Sequence, residues 1–136
     1  MDEKIEDIDL ATNLNPDEVV NCLNKNNIKH IDVGKKYGTI TAVIEKKKFE
    51  ITSLRKDVKT DGRFAEVQYC NNWKEDAKRR DFTFNSIYSN LNGELFDPFN
   101  GKKDLLNGWI KFIGNPATRI KEDYLRILRY IRFFLI

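Results

Sequence analysis

The sequence has 136 residues, of which 40% are hydrophobic and 33% are charged, so we expect one globular domain with a modest core. It has no apolar run of the ~18 residues that a membrane-spanning helix needs, and its acidic start, Met1-Asp2-Glu3-Lys4, argues against a secretory signal. The net charge is +3, but residues 1–24 are strongly acidic and the remainder is basic, which suits a metal site beside a surface for a polyanion.

The first half of the chain predicts a small sheet and one helix. Apolar and acidic residues alternate over residues 5–11, which predicts a strand with Asp7 and Asp9 on one face. Asn15 is a typical helix N-cap, and the helix that it starts is expected to end near Asn24. Further strands are predicted over residues 28–33, 39–44 and 49–52, with turns over 34–38 and 46–48.

The second half is predicted to be mostly helical. Residues 55–71 lack a clear period and are predicted to form a long loop. A helix should begin at Asn72, with Glu75 at capping-box spacing, and continue to about Ile87. From Pro116 onward, apolar residues recur at three- and four-residue steps, which predicts one helix that reaches the C-terminus. Shorter elements are a strand over 94–96, a helix over 102–106 and a strand over 109–112.

The carboxylates of the first strand are candidate metal ligands. Asp7 and Asp9 are two residues apart, so on a strand they project from the same face and could share Mg²⁺, which prefers oxygen ligands. Glu50 on a neighbouring strand is the candidate third acid, with Phe49 and Ile51 expected on the opposite, apolar face. The alternative interpretation is a pair of solvated acids on an edge strand.

Arg79, Arg80 and Asp81 form a charged triplet inside the helix predicted from Asn72. Arginine offers a planar array of donors for triphosphate or ribose oxygens, and aspartate can hold the arginines or accept from a hydroxyl. The alternative interpretation is an ordinary solvated face of a helix.

Glu122, Asp123 and Arg126 form a second charged group in the last predicted helix. Asp123 and Arg126 are three residues apart and are therefore expected on one helical face. Together they would present an acceptor and several donors to the edge of a nucleobase. The alternative interpretation is a salt bridge within the helix.

Taken in order, these motifs resemble the head and neck of class II CCA-adding enzymes and bacterial poly(A) polymerases. The resemblance covers about residues 6–133. Each motif is weak alone, but the ordered set is specific. It consists of D-I-D-L-A-T at 7–12, D-V-G at 32–34 with Y-G-T at 37–39, F-E-I-T at 49–52, D-G-R at 61–63, E-D-A-K-R-R-D-F-T-F-N at 75–85, D-P-F-N-G at 97–101 and R-I-K-E-D-Y-L-R-I-L-R at 119–129.

The resemblance implies an α+β fold, namely a polymerase-β-like nucleotidyltransferase head with a mixed sheet and packed helices. It further implies that Asp7 and Asp9 bind the catalytic Mg²⁺ and that Glu50 helps to activate the 3′-hydroxyl of RNA. Residues 79–81 would recognise the ribose, and residues 122–126 would act as a protein template for the incoming base. The loop predicted over 55–71 would correspond to the segment that helps to switch the pocket from CTP to ATP.

The sequence also departs from the family pattern. A glycine-rich strand–helix element precedes the D-x-D strand in the family, whereas here Met1 lies six residues before Asp7. We therefore expect a truncated or split form, with the head over residues 1–114 and the start of a helical neck over 115–136. On this interpretation other polypeptides would supply the missing parts, the isolated chain would bind RNA poorly, and the apolar C-terminal residues 131–136 would be sticky.

The function expected from the resemblance is template-independent addition of CMP and AMP, from CTP and ATP, to the 3′ end of tRNA. Poly(A) synthesis is the second choice, and a non-catalytic remnant that binds nucleotide or RNA weakly is the rival from another class. A metal-dependent phosphohydrolase is disfavoured, because His30 is the one histidine. Cys22 and Cys70 lack companions at metal-ligand spacing and are expected to be reduced thiols in a cytoplasmic protein.

Overall fold

A four-stranded mixed sheet forms the centre of the N-terminal part in the computed structural model, which describes residues 8–61 and 64–135. Its strand order is β1-β4-β3-β2; β1 runs parallel to β4, and the other pairs are antiparallel. The strands are β1 (Asp9–Thr12), β2 (Lys29–Ile31), β3 (Thr39–Ile44) and β4 (Lys47–Ser53). The strands predicted in this region are confirmed, with shifted ends.

Helix α1 (Pro16–Lys25) covers one face of this sheet. The predicted N-cap is confirmed, because the Asn15 side chain accepts the Glu18 amide at 3.0 Å and the Glu18 carboxylate accepts the Asn15 amide at 2.7 Å. These bonds satisfy two backbone donors that a helix start otherwise leaves unpaired. The core beneath α1 contains Val19, Leu23, Ile40 and Ala42, with Phe49 and Ile51 packed against it.

The turn between β3 and β4 lies earlier than predicted. Lys47 and Lys48 belong to β4, and the turn is formed by Glu45 and Lys46, whose φ angles are 50° and 67°. Two-residue hairpins favour positive φ at both central positions because that twist matches the flanking strands. The chain makes this turn without glycine, so the run of three lysines was a poor marker of its position.

The prediction of a long loop over residues 55–71 is wrong. Strands β5 (Arg55–Asp61) and β6 (Phe64–Tyr69) form a two-stranded sheet there. Asp-Gly at 61–62 is a strong hairpin signal, but the polar residues of β5 hide the alternation expected of a half-buried strand.

The helix predicted from Asn72 to Ile87 is much shorter than expected. Helix α2 (Trp73–Lys78) ends before the arginines, and a 3-10 turn over Thr83–Ser86 follows. The strand predicted over 109–112 is also wrong, since Phe112 makes a single antiparallel bridge to Phe82. The short strand predicted over 94–96 is confirmed by β8 (Leu95–Phe96), which pairs with β7 (Tyr88–Ser89).

Three further helices complete the C-terminal part: α3 (Gly101–Leu106), α4 (Pro116–Glu122) and α5 (Leu125–Phe134). The single helix predicted from Pro116 is therefore interrupted, because Asp123 has an extended backbone with φ −153° and ψ 105°. Phe82, which is fully buried, is the centre of an aromatic cluster. Its ring partners are Phe84, Phe112, Tyr130 and Phe133.

The chain divides into two compact units. The first comprises residues 1–55 and 69–72, and the second comprises residues 56–68 and 73–136. The elements of the chain, a mixed sheet and helices, are those of an α+β fold, so the predicted fold class is confirmed. Among the residues that the structure describes, no helix is long and apolar enough to cross a membrane.

Candidate functional site

Two acids of the first unit meet on neighbouring strands. Asp9 of β1 and Glu50 of β4 are Cα partners in the parallel ladder, and Thr41 of β3 is the next residue in the same row. Side chains opposite each other in a ladder project from the same face of the sheet. Asp9 and Glu50 are both exposed, so their carboxylates lie on the solvent side of the sheet.

The opposite face of the sheet is apolar, as predicted. Phe49 and Ile51 flank Glu50 in β4 and pack against the core under α1. Alternation along β4 therefore directs Glu50 away from the core. The two acids stand on a rigid element, so the distance between their backbones is set by the strand ladder and not by a loop.

The donor set fits a hard divalent cation. Mg²⁺ is commonly held by one or two carboxylates and keeps several of its waters, and Asp9 with Glu50 supplies oxygen ligands of this kind. Asp7 lies outside the described residues, so the predicted Asp7–Asp9 pair stays a prediction. Within residues 8–61 and 64–135, no group of three or more His, Cys, Asp or Glu side chains is arranged to hold a metal.

The charged triplet of the second unit lies in a turn after α2 and not inside a helix. Asp76 is 2% exposed, and its carboxylate contacts both arginines of the triplet. The Asp76 carboxylate lies 3.5 Å from Arg79 Nε, accepts a bond of 3.4 Å from Arg80 Nη2 and accepts a bond of 2.6 Å from the Tyr88 hydroxyl. Burial alone would lower the pKa of Arg80, but the charges and hydrogen bonds of Asp76 and Tyr88 outweigh it and raise that pKa.

Asp81, the third member of the triplet, is engaged by three donors. It accepts hydrogen bonds from the Phe82 amide at 2.8 Å, from Asn85 Nδ2 at 3.0 Å and from Arg129 Nη1 at 3.1 Å. Burial by itself raises the pKa of this carboxyl, but these donors outweigh burial and lower the pKa below its ordinary value. Asp81 is therefore an ionised acceptor that ties α5 to the turn.

The Glu122–Arg126 segment is not one helical face. The Asp123 carboxylate accepts the Leu125 amide at 3.0 Å and so begins α5. Aspartate competes well for such local amides, which explains the break in the helix. Arg126 Nη1 donates to Glu122 Oε2 at 2.8 Å and to the Arg119 carbonyl at 2.9 Å. The salt bridge observed is therefore between Glu122 and Arg126, and not between Asp123 and Arg126.

Arg119 connects this segment to the triplet. Its Nη2 donates to the carbonyl oxygens of Arg79 at 2.8 Å and Arg80 at 2.7 Å, while its Nη1 donates to Glu122. The Arg119 side chain is 12% exposed. Burial and the nearby charge of Arg126 lower its pKa, although Glu122 opposes this effect.

No role was predicted for four residues that hold these groups in place: Asp76, Tyr88, Arg119 and Arg129. The spacing of Asp76 from the arginines, three and four residues, was a signal for the ion pairs that it makes. The contacts of Tyr88 and Arg119 join residues that are 12 and about 40 positions apart. Such contacts leave no periodic trace in a single sequence.

The arrangement supports two kinds of binding. The acids of the first unit can hold a divalent cation, and the arginines of the second unit can hold a phosphate or a planar acceptor group. Asp123 is half-buried and offers carboxylate oxygens to a donor.

Comparison with known proteins gives consistent results. The family model for the poly(A) polymerase head domain matches residues 1–111. The human protein named "CCA tRNA nucleotidyltransferase 1, mitochondrial" is 49% identical over 132 residues, which are 96% of this chain and 30% of that protein. The "CCA-adding enzyme" of Staphylococcus epidermidis is 41% identical over 135 residues, or 98% of this chain and 33% of that protein.

Solved structures agree with the sequence comparisons. The CCA-adding enzyme of Bacillus stearothermophilus, in complex with CTP, superposes with a TM-score of 0.83 at 35% identity and covers 96% of this chain and 30% of its own. A tRNA nucleotidyltransferase complexed with a primer tRNA and an incoming ATP analogue gives a TM-score of 0.71 at 28% identity, over 97% of this chain and 36% of its own. The chain thus spans about a third of the length of these relatives.

Proposed function

The chain belongs to the poly(A) polymerase head-domain family, and from this membership we propose that it contributes the catalytic head for adding CMP and AMP to the 3′ end of tRNA. CTP and ATP are the proposed substrates. The relatives named as CCA-adding enzymes favour CCA addition over poly(A) synthesis. A structure of one relative with CTP, and another with a primer tRNA and an ATP analogue, support the same substrates here.

The observation that carries the proposal is the pairing of Asp9 with Glu50 in the β1–β4 ladder. Nucleotidyltransferases of this family generally use a divalent metal, and we propose Mg²⁺ held by Asp7 and Asp9. Bound there, the ion would offset the negative charge that develops on the triphosphate. The solvent-facing carboxylates of Asp9 and Glu50 fit that role better than a purely structural one, because neither is buried against the core.

The proposed reaction transfers a nucleotidyl group from the triphosphate to the RNA. The 3′-hydroxyl oxygen of the RNA attacks the α-phosphorus of the nucleotide, a new oxygen–phosphorus bond forms, and the bond to the β-phosphate oxygen breaks. Pyrophosphate leaves with that electron pair. Glu50 is proposed to accept the hydroxyl proton, a role that suits an exposed carboxylate beside the reacting group.

The second unit is proposed to select the nucleotide. The triplet Arg79–Asp81 would contact the ribose, and Asp123 with Arg126 would pair with the edge of the base, supported by Glu122. In the described conformation Arg126 Nη1 is bonded to Glu122 and to the Arg119 carbonyl. The base would therefore accept hydrogen bonds from the other donors of Arg126, or from Nη1 after its two present bonds have broken.

The head is proposed to cover residues 1–114 and the beginning of the neck residues 115–136; the family match over residues 1–111 supports the first limit. Other polypeptides that supply further parts of the enzyme remain a prediction. Cytoplasmic location is likewise a proposal, and several relatives carry the word mitochondrial in their names.

The test is incorporation of labelled CTP and ATP, with Mg²⁺, into tRNA that lacks its 3′ CCA. Glu50→Gln and Asp9→Asn should each abolish incorporation, because each removes one carboxylate while keeping the size of the side chain. Asp17→Asn is the matched control, since Asp17 is 76% exposed and pairs with Lys35 at the surface. Equal incorporation by Glu50→Gln, Asp9→Asn and the unchanged chain would refute the roles proposed for these acids.

The ratio of CMP to AMP incorporated distinguishes the two activities. Incorporation of CMP followed by AMP supports CCA addition, whereas long AMP tracts support poly(A) synthesis. A folded chain that neither incorporates nor binds CTP would support the remnant interpretation instead.

A further inference from the structure

The arginine at position 119 makes contacts that bring two distant parts of the second unit together. Its Nη2 donates to the main-chain oxygens of Arg79 and Arg80, at 2.8 and 2.7 Å. Its Nη1 donates to the carboxylate of Glu122, which also accepts a bond from Arg126. One guanidinium group therefore contacts both the triplet turn and the Glu122–Arg126 segment.

The carbonyls that Arg119 binds belong to a stretch of backbone that has left its helix. The amides of Arg79 and Arg80 still bond to the carbonyls of Asp76 and Ala77, at 3.3 and 3.1 Å. Their own carbonyls point beyond the end of α2, where helix geometry supplies no further partner. Arg119 supplies two charge-assisted donors at this place, so the conformation of the turn depends on it.

Burying a guanidinium group at this position would be unfavourable if the group made no hydrogen bonds. The side chain is 12% exposed, and burial together with Arg126 lowers its pKa. Removing a charged group from water is costly unless it is hydrogen-bonded. Nη1 and Nη2 make three bonds, all to groups in or beside the proposed nucleotide contacts, while the buried Nε has no hydrogen-bond partner among the described residues. An apolar side chain could make none of these bonds.

We propose that Arg119 is a positioning residue that fixes the turn Arg79–Asp81 against the Glu122–Arg126 segment, so that ribose contacts and base contacts keep one spacing. This inference rests on the proposed function of both groups. Arg119 itself is not proposed to touch the nucleotide. Its effect is on selectivity, because a loosened turn would contact a ribose and a deoxyribose almost equally.

The experiment compares the binding of CTP and dCTP by isothermal titration calorimetry, in the presence of Mg²⁺. The variants are Arg119→Ala and Arg119→Lys, and Lys121→Ala is the matched control because Lys121 is an exposed cation on the same helix. Circular dichroism and thermal melting establish that each variant is folded. Arg119→Lys serves if Arg119→Ala does not fold, since lysine keeps the charge but lacks the planar, forked donors.

We expect the preference for CTP over dCTP to fall by about tenfold in the Arg119 variants and to be unchanged in Lys121→Ala. A role in stability alone would lower the fraction of binding-competent protein for both nucleotides equally and leave their ratio of dissociation constants unchanged. An unchanged ratio in a folded Arg119 variant therefore overturns the inference while the proposed function stands. Failure of the unchanged chain to bind either nucleotide overturns the proposed function, and the inference falls with it.

Discussion

Gly101 lies where no larger residue can be accommodated. A methyl group built at its Cα would lie 2.2 Å from the Thr83 carbonyl oxygen, 2.5 Å from the Thr83 carbonyl carbon and 2.8 Å from the Phe84 Cα. Ordinary contact begins near 3.4 Å, so the shortfall at the oxygen exceeds 1 Å. All three obstacles are backbone atoms, which cannot swing aside as the end of a flexible side chain could.

Gly101→Ala must therefore push α3 away from the turn that follows the triplet. Such a displacement would strain the buried bond of 2.9 Å from Thr83 Oγ1 to Asp104 Oδ2 and the bond of 2.7 Å from the Gly101 amide to Asp97. Overpacking of this kind costs ~1–3 kcal/mol, and one weakened buried hydrogen bond adds ~1 kcal/mol. We expect a total loss of roughly 3 kcal/mol in the free energy of unfolding.

Urea denaturation followed by circular dichroism gives this free energy from the transition midpoint and slope. Gly93→Ala is the matched control: Gly93 has φ of 81° with no atom within 4 Å of the added methyl, so it should lose only about 1 kcal/mol of backbone strain. The reasoning about close packing is refuted if Gly101→Ala is destabilised no more than Gly93→Ala.

Three further changes test other contacts. Asn15→Ala removes the cap of α1 and should lower the free energy of unfolding by about 1 kcal/mol, measured by urea denaturation. Tyr88→Phe removes the donor to Asp76 and should lower it by ~1–2 kcal/mol in the same assay. Asp81→Asn removes the charge that Arg129 pairs with; because the pKa of Asp81 is lowered in the folded chain, its stabilising effect should be complete above about pH 5 and disappear as pH falls below about 4.

Each of these expectations can be contradicted. For the cap, Asn24→Ala at an exposed position of the same helix is the control, and equal stability of the two variants would show that the cap contributes nothing. A Tyr88→Phe variant as stable as the unchanged chain would mean that the hydroxyl gains no net energy from Asp76. For Asp81, a difference from the Asn variant that grows as the solution is acidified would reverse the predicted sign.

The sheet of the first unit was largely predictable, because its strands show the alternation that burial of one face imposes. Ile40 and Ala42 point to the core while Thr39 and Thr41 do not, and a single sequence displays this directly. The partnership of Asp9 with Glu50 was expected from chemistry and from the family resemblance. The register of the β1–β4 pair could be learned only from the structure, because parallel strands are not joined by a tight turn that would fix it.

The two overlong helices that were predicted, from Asn72 and from Pro116, lie where aspartate side chains bind main-chain amides. The carboxylate of Asp81 takes the Phe82 amide, and that of Asp123 takes the Leu125 amide. The Asp123 capture interrupts a segment whose apolar spacing predicts continuous helix, whereas α2 has already ended at Lys78, before Asp81. The apolar period indicates which residues face inward, but it does not reveal where an aspartate will interrupt the backbone.

The 3-10 turn after Phe82 and the isolated bridge from Phe82 to Phe112 were also beyond sequence reasoning. Phe82 is buried by aromatic rings from well-separated parts of the chain, including Phe112, Tyr130 and Phe133. The Thr83 amide donates a hydrogen bond of 3.0 Å to the carbonyl oxygen of Lys111, 28 residues later. Tertiary packing of this kind overrides local propensity.

The distance along the chain between Arg119 and the carbonyls that it holds has a consequence for biosynthesis. Arg119 follows Arg79 by 40 residues, and ribosomes add about 5–20 residues per second. The triplet turn is therefore synthesised roughly 2–8 s before Arg119. During that interval the carbonyls of Arg79 and Arg80 lack the donors that Arg119 supplies, so the contacts described for the turn are complete only after residue 119 has been added.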